Sequence, residues 1–573
     1  MYDINPVFPL ESNLIHSGID SLIRQLIGNE TVIFEGYQGL FFDEFRTLAG
    51  ACFCQAGLEV SWFDVSGALR PPEEIDRMIE PFLGGNDPLF GRRSTLSLSD
   101  FFNPAVLERM TPDRNASISI IYGPGASLAG WEGPVVYFDL PKNELQYRSR
   151  AGLVTNLGAV EPDVPKAMYK RFYFIDWIVL NLHKERLLPE ISVMADGTSF
   201  GKLTWMNGRH FREALSLMSH NQFRVKPWFE PGSWGGDWIR NNIPGLKQDV
   251  PNYAWSFEMI VPENGIVFES SGNRLECSFD WLMYQDAEAV LGECHSRFGT
   301  EFPIRFDFLD TFGGGNLSIQ CHPREEYIRD HFGERFTQQE AYYILDTSHH
   351  AQVNLGFRED IDRDKFRQEL ERSAHEKRLV DIPAYIQQLP AKKHDFFLIP
   401  EGTVHGSGIN NLVLEISTTP YIFTFKMYDW LRMDLNGKPR DLNISRAFDN
   451  LCFDHKGELI HRDFISRPSL LDEDSGWQKY HLPTHPLHHY DVWRFHLQKD
   501  ATVAIETENR CHVLNLVEGK RINVISDEGR SLFFNYAETF AVAAAARRYT
   551  IKNCSDGETK VVVAFIKFKN ARL

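Results

Sequence analysis

The chain reads as a multidomain α+β protein, with an N-terminal parallel α/β region followed by a β-rich jelly-roll region carrying inserted helices. Three observations predict this. A length of 573 residues exceeds what one hydrophobic core organises. Over the first third of the chain, short apolar runs alternate with helical patterns, which is the sequence mark of a parallel sheet. From Trp255 onward short alternating strands and turns dominate, with one charged helical interruption.

The elements follow in order. Residues 1–25 read as a surface segment ending in a short amphipathic helix, with Leu14, Ile15, Ile19, Leu22 and Ile23 on one side. Thr31-Val-Ile-Phe-Glu-Gly36 is a buried strand entering a glycine turn, and a helical pattern runs on through Phe45 and Ala49. Leu58 to Asp64, Ser117 to Gly123 and Pro134 to Asp139 are the next strands, and Pro189 to Asp196 the last of this region. Tyr169 to Lys184, apolar with basic punctuation, is a packed helix. The Pro- and Gly-rich stretch Trp228 to Gly236 marks the junction with the β-rich part. Arg358 to Arg378 is a solvated, highly charged helix, and Pro439 to Leu451 another helical stretch. From about residue 487 a final β unit runs through Tyr490, Cys511, Arg521, Thr550 and Val561 to Phe568. The expected boundaries are 1–226, 227–480 and 481–573.

Composition excludes several classes. Hydrophobic content of 43% and charged content of 24% are those of a soluble globular protein. The net charge of −18 argues against a nucleic-acid surface, because phosphate neutralisation needs basic patches. Eight scattered cysteines form neither a Cys-x-x-Cys pair nor a disulfide framework, which suits a reducing compartment. Met1-Tyr-Asp-Ile-Asn-Pro lacks a basic segment and an apolar signal core, and no apolar run reaches the length of a membrane span. The expectation is a cytoplasmic protein without nucleic-acid or membrane partners.

The chemistry concentrates in Gln320-Cys-His322-Pro, Glu340 and Pro400-Glu-Gly-Thr-Val-His405. Gln320 and His322 alternate, so a strand points both to one face. His405 follows a Pro-x-Gly turn that closes the run Phe396 to Ile399. Two imidazoles, a carboxylate and an amide oxygen suit a borderline divalent ion such as zinc, with a position open for substrate. His481, His485, His488 and His489 cluster beside Pro483 and Pro486 and read as a surface linker. Phe540-Ala-Val-Ala-Ala-Ala-Ala, where a second metal motif could stand, offers no ligands.

Ordered motifs over residues 227–573 make this part similar to the class I, cupin-type mannose-6-phosphate isomerases. They are Ser233-Trp-Gly-Gly236, Tyr253-Ala-Trp-Ser-Phe-Glu258, Phe308-Leu-Asp310 with Leu317 to Pro323, Ile399 to His405, Tyr428-Asp-Trp-Leu-Arg432 and Asn436-Gly-Lys-Pro-Arg440. The resemblance implies a double cupin and one Zn2+ held by Gln320, His322, Glu340 and His405. It implies an aldose–ketose isomerase of mannose 6-phosphate, with Lys426 and Glu258 as the catalytic groups. Glu258 is expected near the mouth of the site. Three cationic positions of the family differ here, where Asp307, Gln338 and Lys426 stand. Arg305 and Arg324 are the expected compensating anchors for a sugar phosphate. An isomerase or epimerase of another sugar, and a non-catalytic metal-containing sugar-binding protein, stay open as alternatives.

The strand order of the first region loosely resembles degenerate P-loop nucleoside kinases. A working phosphate loop needs Gly-x-x-x-x-Gly-Lys-Ser/Thr, whose amides and lysine cradle phosphate. This chain has Glu35-Gly-Tyr-Gln-Gly-Leu-Phe-Phe42, with no lysine after Gly39. The region is therefore expected to be non-catalytic, with dimerisation (a homodimer), regulation or covering the site mouth as its open roles.

Overall fold

A computed structural model describes residues 1–567. The chain divides into two compact units. One comprises residues 6–219 and 261–287, the other residues 1–5, 220–260 and 288–573. The return of 261–287 to the N-terminal unit was not visible in the sequence, because its strands look like those that follow.

In the N-terminal unit five parallel strands lie in the order Val60–Asp64, Ile118–Tyr122, Thr31–Gly36, Val135–Asp139 and Ile191–Asp196. Ile191–Asp196 does not end the sheet, as expected. The antiparallel strand Thr204–Asn207 and the short His16–Ser17 extend it. Val32, Ile33 and Phe34 are all buried, since helices cover both faces of a parallel sheet and its strands need apolar side chains on each. The predicted helices form at Ile19–Leu26 and Phe42–Gln55. Leu14 and Ile15 fall before the first of them. The Tyr169–Lys184 stretch is helical, with a π-turn at Phe172–Asp176. Strands Gly265–Ser270 and Asn273–Ser278 form a small sheet with Phe8–Pro9.

The loop after Ile118–Tyr122 turns its amides onto a side chain of the strand Thr31–Gly36. Gly123 and Gly125 adopt φ of +117° and +89°, a conformation that turns successive amides inward. The amides of Gly125 and Ser127 donate to the Glu35 carboxylate at 2.7 and 2.9 Å. The Ser127 hydroxyl adds a bond of 2.8 Å, and His183 Nε2 lies 3.1 Å away. Burial pushes Glu35 up, but His183 and these donors overrule it and hold the carboxyl below its usual range. An internal carboxylate thus occupies the amides of Gly125 and Ser127. Titration calorimetry with magnesium-ATP is expected to show no binding, and micromolar affinity would overturn this reading.

The second unit is built from facing sheets. A six-stranded sheet runs Trp228–Glu230, Trp255–Phe257, Ile304–Asp310, Asn411–Thr418, Gln339–Thr347 and Phe396–Ile399. A five-stranded sheet runs Ile386–Pro390, Gln352–Phe357, His405–Ser407, Ile319–Cys321 and Phe425–Tyr428. Leu309, Leu317, Tyr342, Val353, Leu355 and Val413 fill the space between them. The charged stretch forms the helix Arg363–Glu376, which buries only Phe366, Leu370 and Ser373. A seven-stranded and a four-stranded sheet follow, around a core of Trp493, Phe495, Leu514 and Phe540. The last strand is Thr559–Ile566, and Phe568 lies outside the described residues. Among the described residues no helix is long and apolar enough to cross a membrane.

Candidate metal centre

Three register rows place the site. On the five-stranded sheet Leu355, His405, Gln320 and Lys426 stand directly opposite one another on successive strands. Directly opposite residues point to one face, with Cβ atoms about 5 Å apart. On the six-stranded sheet Arg305, Ser417 and Glu340 form one row, and Asp307, Glu415 and Tyr342 the next. Glu340 therefore projects from one sheet toward the histidines of the other.

Local sequence fixes the ligand-bearing turns. Pro400 ends the strand Phe396–Ile399, and Gly402 reverses the chain at φ +72°. A Cβ at Gly402 would lie 2.7 Å from the Asn450 carbonyl, so only glycine fits. The Gly402 amide donates to the His322 carbonyl at 3.0 Å, tying the two histidine segments together. Gly406, next to His405, lets its strand approach the Ser318 carbonyl, which a Cβ would meet at 2.6 Å.

The donor atoms converge. His322, Glu340 and His405 offer ligand atoms that all lie within 4.8 Å of one another, and no other such group occurs among the described residues. His322 Nε2 contacts Glu340 Oε2, and His405 Nε2 lies 3.6 Å from the same oxygen. Gln320 Nε2 is 3.4 Å from His405 Nε2, and a half-turn of that amide brings its oxygen into the same place. All four side chains are at most 8% exposed.

The hydrogen bonds behind the donors suit a metal. His322 Nδ1 lies 3.1 Å from the Phe423 carbonyl and His405 Nδ1 2.9 Å from that of Thr403. A ring that donates from Nδ1 keeps a lone pair on Nε2. Burial pushes His405 down to about 4, so it is neutral at physiological pH. Burial also raises Glu340, but the two imidazoles hold it below its ordinary range. Glu340 Oε1 is buried and meets no hydrogen-bond partner. An orphaned carboxylate oxygen beside two Nε2 atoms is what a divalent cation would satisfy. The donor set fits the ion the sequence suggests.

Other predicted residues fall in different places. Glu258 was expected near the mouth of the site, and the structure buries it instead. Its side chain is 1% exposed. It accepts from Tyr2 at 2.5 Å and from Ser256, with Arg224 at 3.9 Å, because it packs inside the sheet edge beside the N-terminal residues. Arg324 is exposed and donates to the Asp449 carbonyl at 2.7 Å. Arg305 is buried, donates to the Pro420 carbonyl at 3.0 Å and lies over the Tyr421 ring. His481 pairs with Asp491 at 2.9 Å, and the histidines near it make no metal group among the described residues.

The remaining motifs brace the site. Asp429 takes Arg432 at 2.5 Å and Arg440 at 2.6 Å, and accepts from Ser318 at 2.9 Å. Arg440 also reaches Ser233, and the Gly236 amide donates to Asp310. These contacts spend both arginines on structure.

Glu415 escaped the sequence reading. It follows apolar residues in an ordinary strand, and only register reveals it opposite Asp307. Gln338 Nε2 joins Glu415 at 3.1 Å to Glu340 at 3.3 Å. Burial, then Glu340 and Glu258, raise Asp307 well above its usual range. Burial, then Asp307 and Glu340, do the same for Glu415. Packing like charges on adjacent strands disfavours ionisation of both.

The family model "Domain of unknown function (DUF8485)" matches residues 18–220. Probable mannose-6-phosphate isomerase GmuF of Bacillus subtilis (strain 168) is 29% identical over 239 residues, 42% of this chain and 70% of that protein. Mannose-6-phosphate isomerase ManA of the same organism is 25% identical over 224 residues, 39% of this chain and 66% of that one. The matched segment therefore spans about two thirds of these relatives' own lengths. The relatives of this chain are mannose-6-phosphate isomerases. The crystal structure of the Bacillus subtilis mannose 6-phosphate isomerase aligns over 60% of this chain and all of its own, at 18% identity and a TM-score of 0.49.

Proposed function

We propose that the protein is a metal-dependent aldose–ketose isomerase that interconverts mannose 6-phosphate and fructose 6-phosphate through an enediol. The observation that carries this reading is the convergence of Gln320, His322, Glu340 and His405 from two facing sheets. The similarity to relatives of that name supports it. Zinc held by these four residues would supply Lewis acidity toward the sugar oxygens.

The chain's own groups do the rest. Isomerisation removes a proton from C2, delivers one to C1 and exchanges one between the two oxygens. Lys426, in the row of His405 and Gln320, offers an ammonium to the oxygen that gains charge as the C2 proton leaves. Asp307 and Glu415, opposite one another on adjacent strands, are placed to pass protons to and from the sugar. Arg305 shares the row of Glu340 and adds positive charge to that wall. Eight unpaired cysteines suit a reducing cytoplasm.

A second reading follows from one observation. Asp307 and Gln338 stand where the resembled family carries lysines, and Asp307 faces another acid. A phosphate dianion meets repulsion on that wall, whereas a neutral sugar meets acceptors for its hydroxyls. Assay of purified, metal-analysed protein separates the two. Turnover of mannose 6-phosphate well above that of free mannose supports the first reading. The reverse preference supports an isomerase of unphosphorylated sugar. No turnover of either removes both.

A further inference from the structure

The N-terminal unit contains a cleft of about 780 Å3 that no part of the proposed isomerase chemistry uses. It opens at the carboxyl ends of the strands Thr31–Gly36, Val60–Asp64 and Ile118–Tyr122. The chain passes from the central strand to one side of the sheet and later to the other, and open parallel sheets bind ligands where the order reverses. The volume lies in the range of small-molecule sites.

The walls are preformed. Buried Arg148 donates to the Gly39 carbonyl and to the Thr198 carbonyl, both at 2.8 Å, and lies over the Phe41 ring at 4.4 Å. Gln38 Nε2 donates to the Thr155 carbonyl at 2.8 Å, which ties the facing wall to the same loop. On that wall Leu153 is 62% exposed.

The chemistry of the lining selects the ligand. Phe41, Phe42 and Tyr122 provide ring faces. Asp43 and Asp64 provide exposed carboxylates. Arg70 is the basic residue among the lining side chains, and its charge is spent on the Asp100 carbonyl at 2.8 Å and on Glu74 at 3.6 Å. The amides beneath are taken by Glu35. An anionic ligand meets two carboxylates and an arginine already paired with Glu74. A ring bearing hydroxyls finds stacking faces and carboxylate acceptors.

We propose that this cleft binds a neutral ring compound with vicinal hydroxyls, and rejects its phosphorylated forms. Adenosine and D-mannose represent the two sources of that chemistry, a nucleoside and a free sugar. The test is calorimetry on the full chain with each probe, and with magnesium-ATP and mannose 6-phosphate as anionic counterparts. Hydrogen exchange of residues 36–43, 64–72 and 153–159 locates the binding and separates it from the metal centre. One neutral probe is expected to bind and to protect these segments. The Asp43→Asn, Asp64→Asn double variant is expected to lose roughly tenfold or more in affinity, because a charge-assisted bond becomes a neutral one. Both acids are exposed, and asparagine keeps the acceptor that Asp64 offers the Ser66 amide, so the variant retains its fold. The proposal is overturned if neither neutral probe protects the segments at millimolar concentration. It is equally overturned if a phosphorylated probe protects them as strongly, or if the double variant binds like the wild type.

Discussion

His405→Ala is expected to abolish stoichiometric metal binding and with it nearly all turnover. Wild-type protein reconstituted with zinc should carry one ion per chain by elemental analysis. His405 donates through Nε2 at full burial, with its Nδ1 held by the Thr403 carbonyl, so no neighbour can swing in to replace it. Removing one of four ligands should weaken binding by roughly a hundredfold or more, since weaker, outer-shell changes already cost ten- to a hundredfold. Glu340→Gln keeps the volume and removes the charge that two imidazoles face, and should lose metal similarly. Thermal melting provides the second readout. Added zinc should raise the Tm of wild type and leave both variants unmoved, because only a ligand bound by the native state stabilises it. A wild-type protein that stays metal-free after reconstitution, or a His405→Ala variant that still holds one ion, refutes the centre.

The candidate metal residues were legible because their signal is local. Gln320 and His322 sit two apart on a strand, and Gly402 punctuates the turn before His405, so each feature is visible in a short window. The parallel sheet was legible for the same reason, since runs such as Val32-Ile33-Phe34 need burial on both faces. What escaped depends on pairing over long separations. Glu415 acquires meaning only from its register with Asp307, more than a hundred residues earlier. Glu258 looked like a rim residue beside Trp255, yet Tyr2 at the far N-terminus covers it. The strands at 265–278 alternate like their neighbours, and only tertiary contact assigns them to the other unit. Asp429, Arg432 and Arg440 showed that basic motif residues were present, but not that they bond one another.

The register row of the metal centre bears on which cation acts on the sugar. Lys426 stands one register step from Gln320 and two from His405, on the face that carries the metal ligands. Lys426→Ala should therefore lower kcat by roughly a hundredfold or more, the loss typical of removing a donor that acts chiefly in the transition state. Metal content should not change, because Lys426 is a neighbour of the ligands and supplies none. Lys426→Arg should retain more activity than the alanine variant, since the charge persists on a longer fork, and arginine is the residue the resembled family carries there. The split between parameters distinguishes catalysis from anchoring. A fall in kcat at constant KM assigns Lys426 to the developing oxyanion, whereas a rise in KM for mannose 6-phosphate alone assigns it to the phosphate. If Lys426→Ala turns over the better of the two sugars as wild type does, the proton transfer runs without this side chain, and the catalytic role given to Lys426 fails.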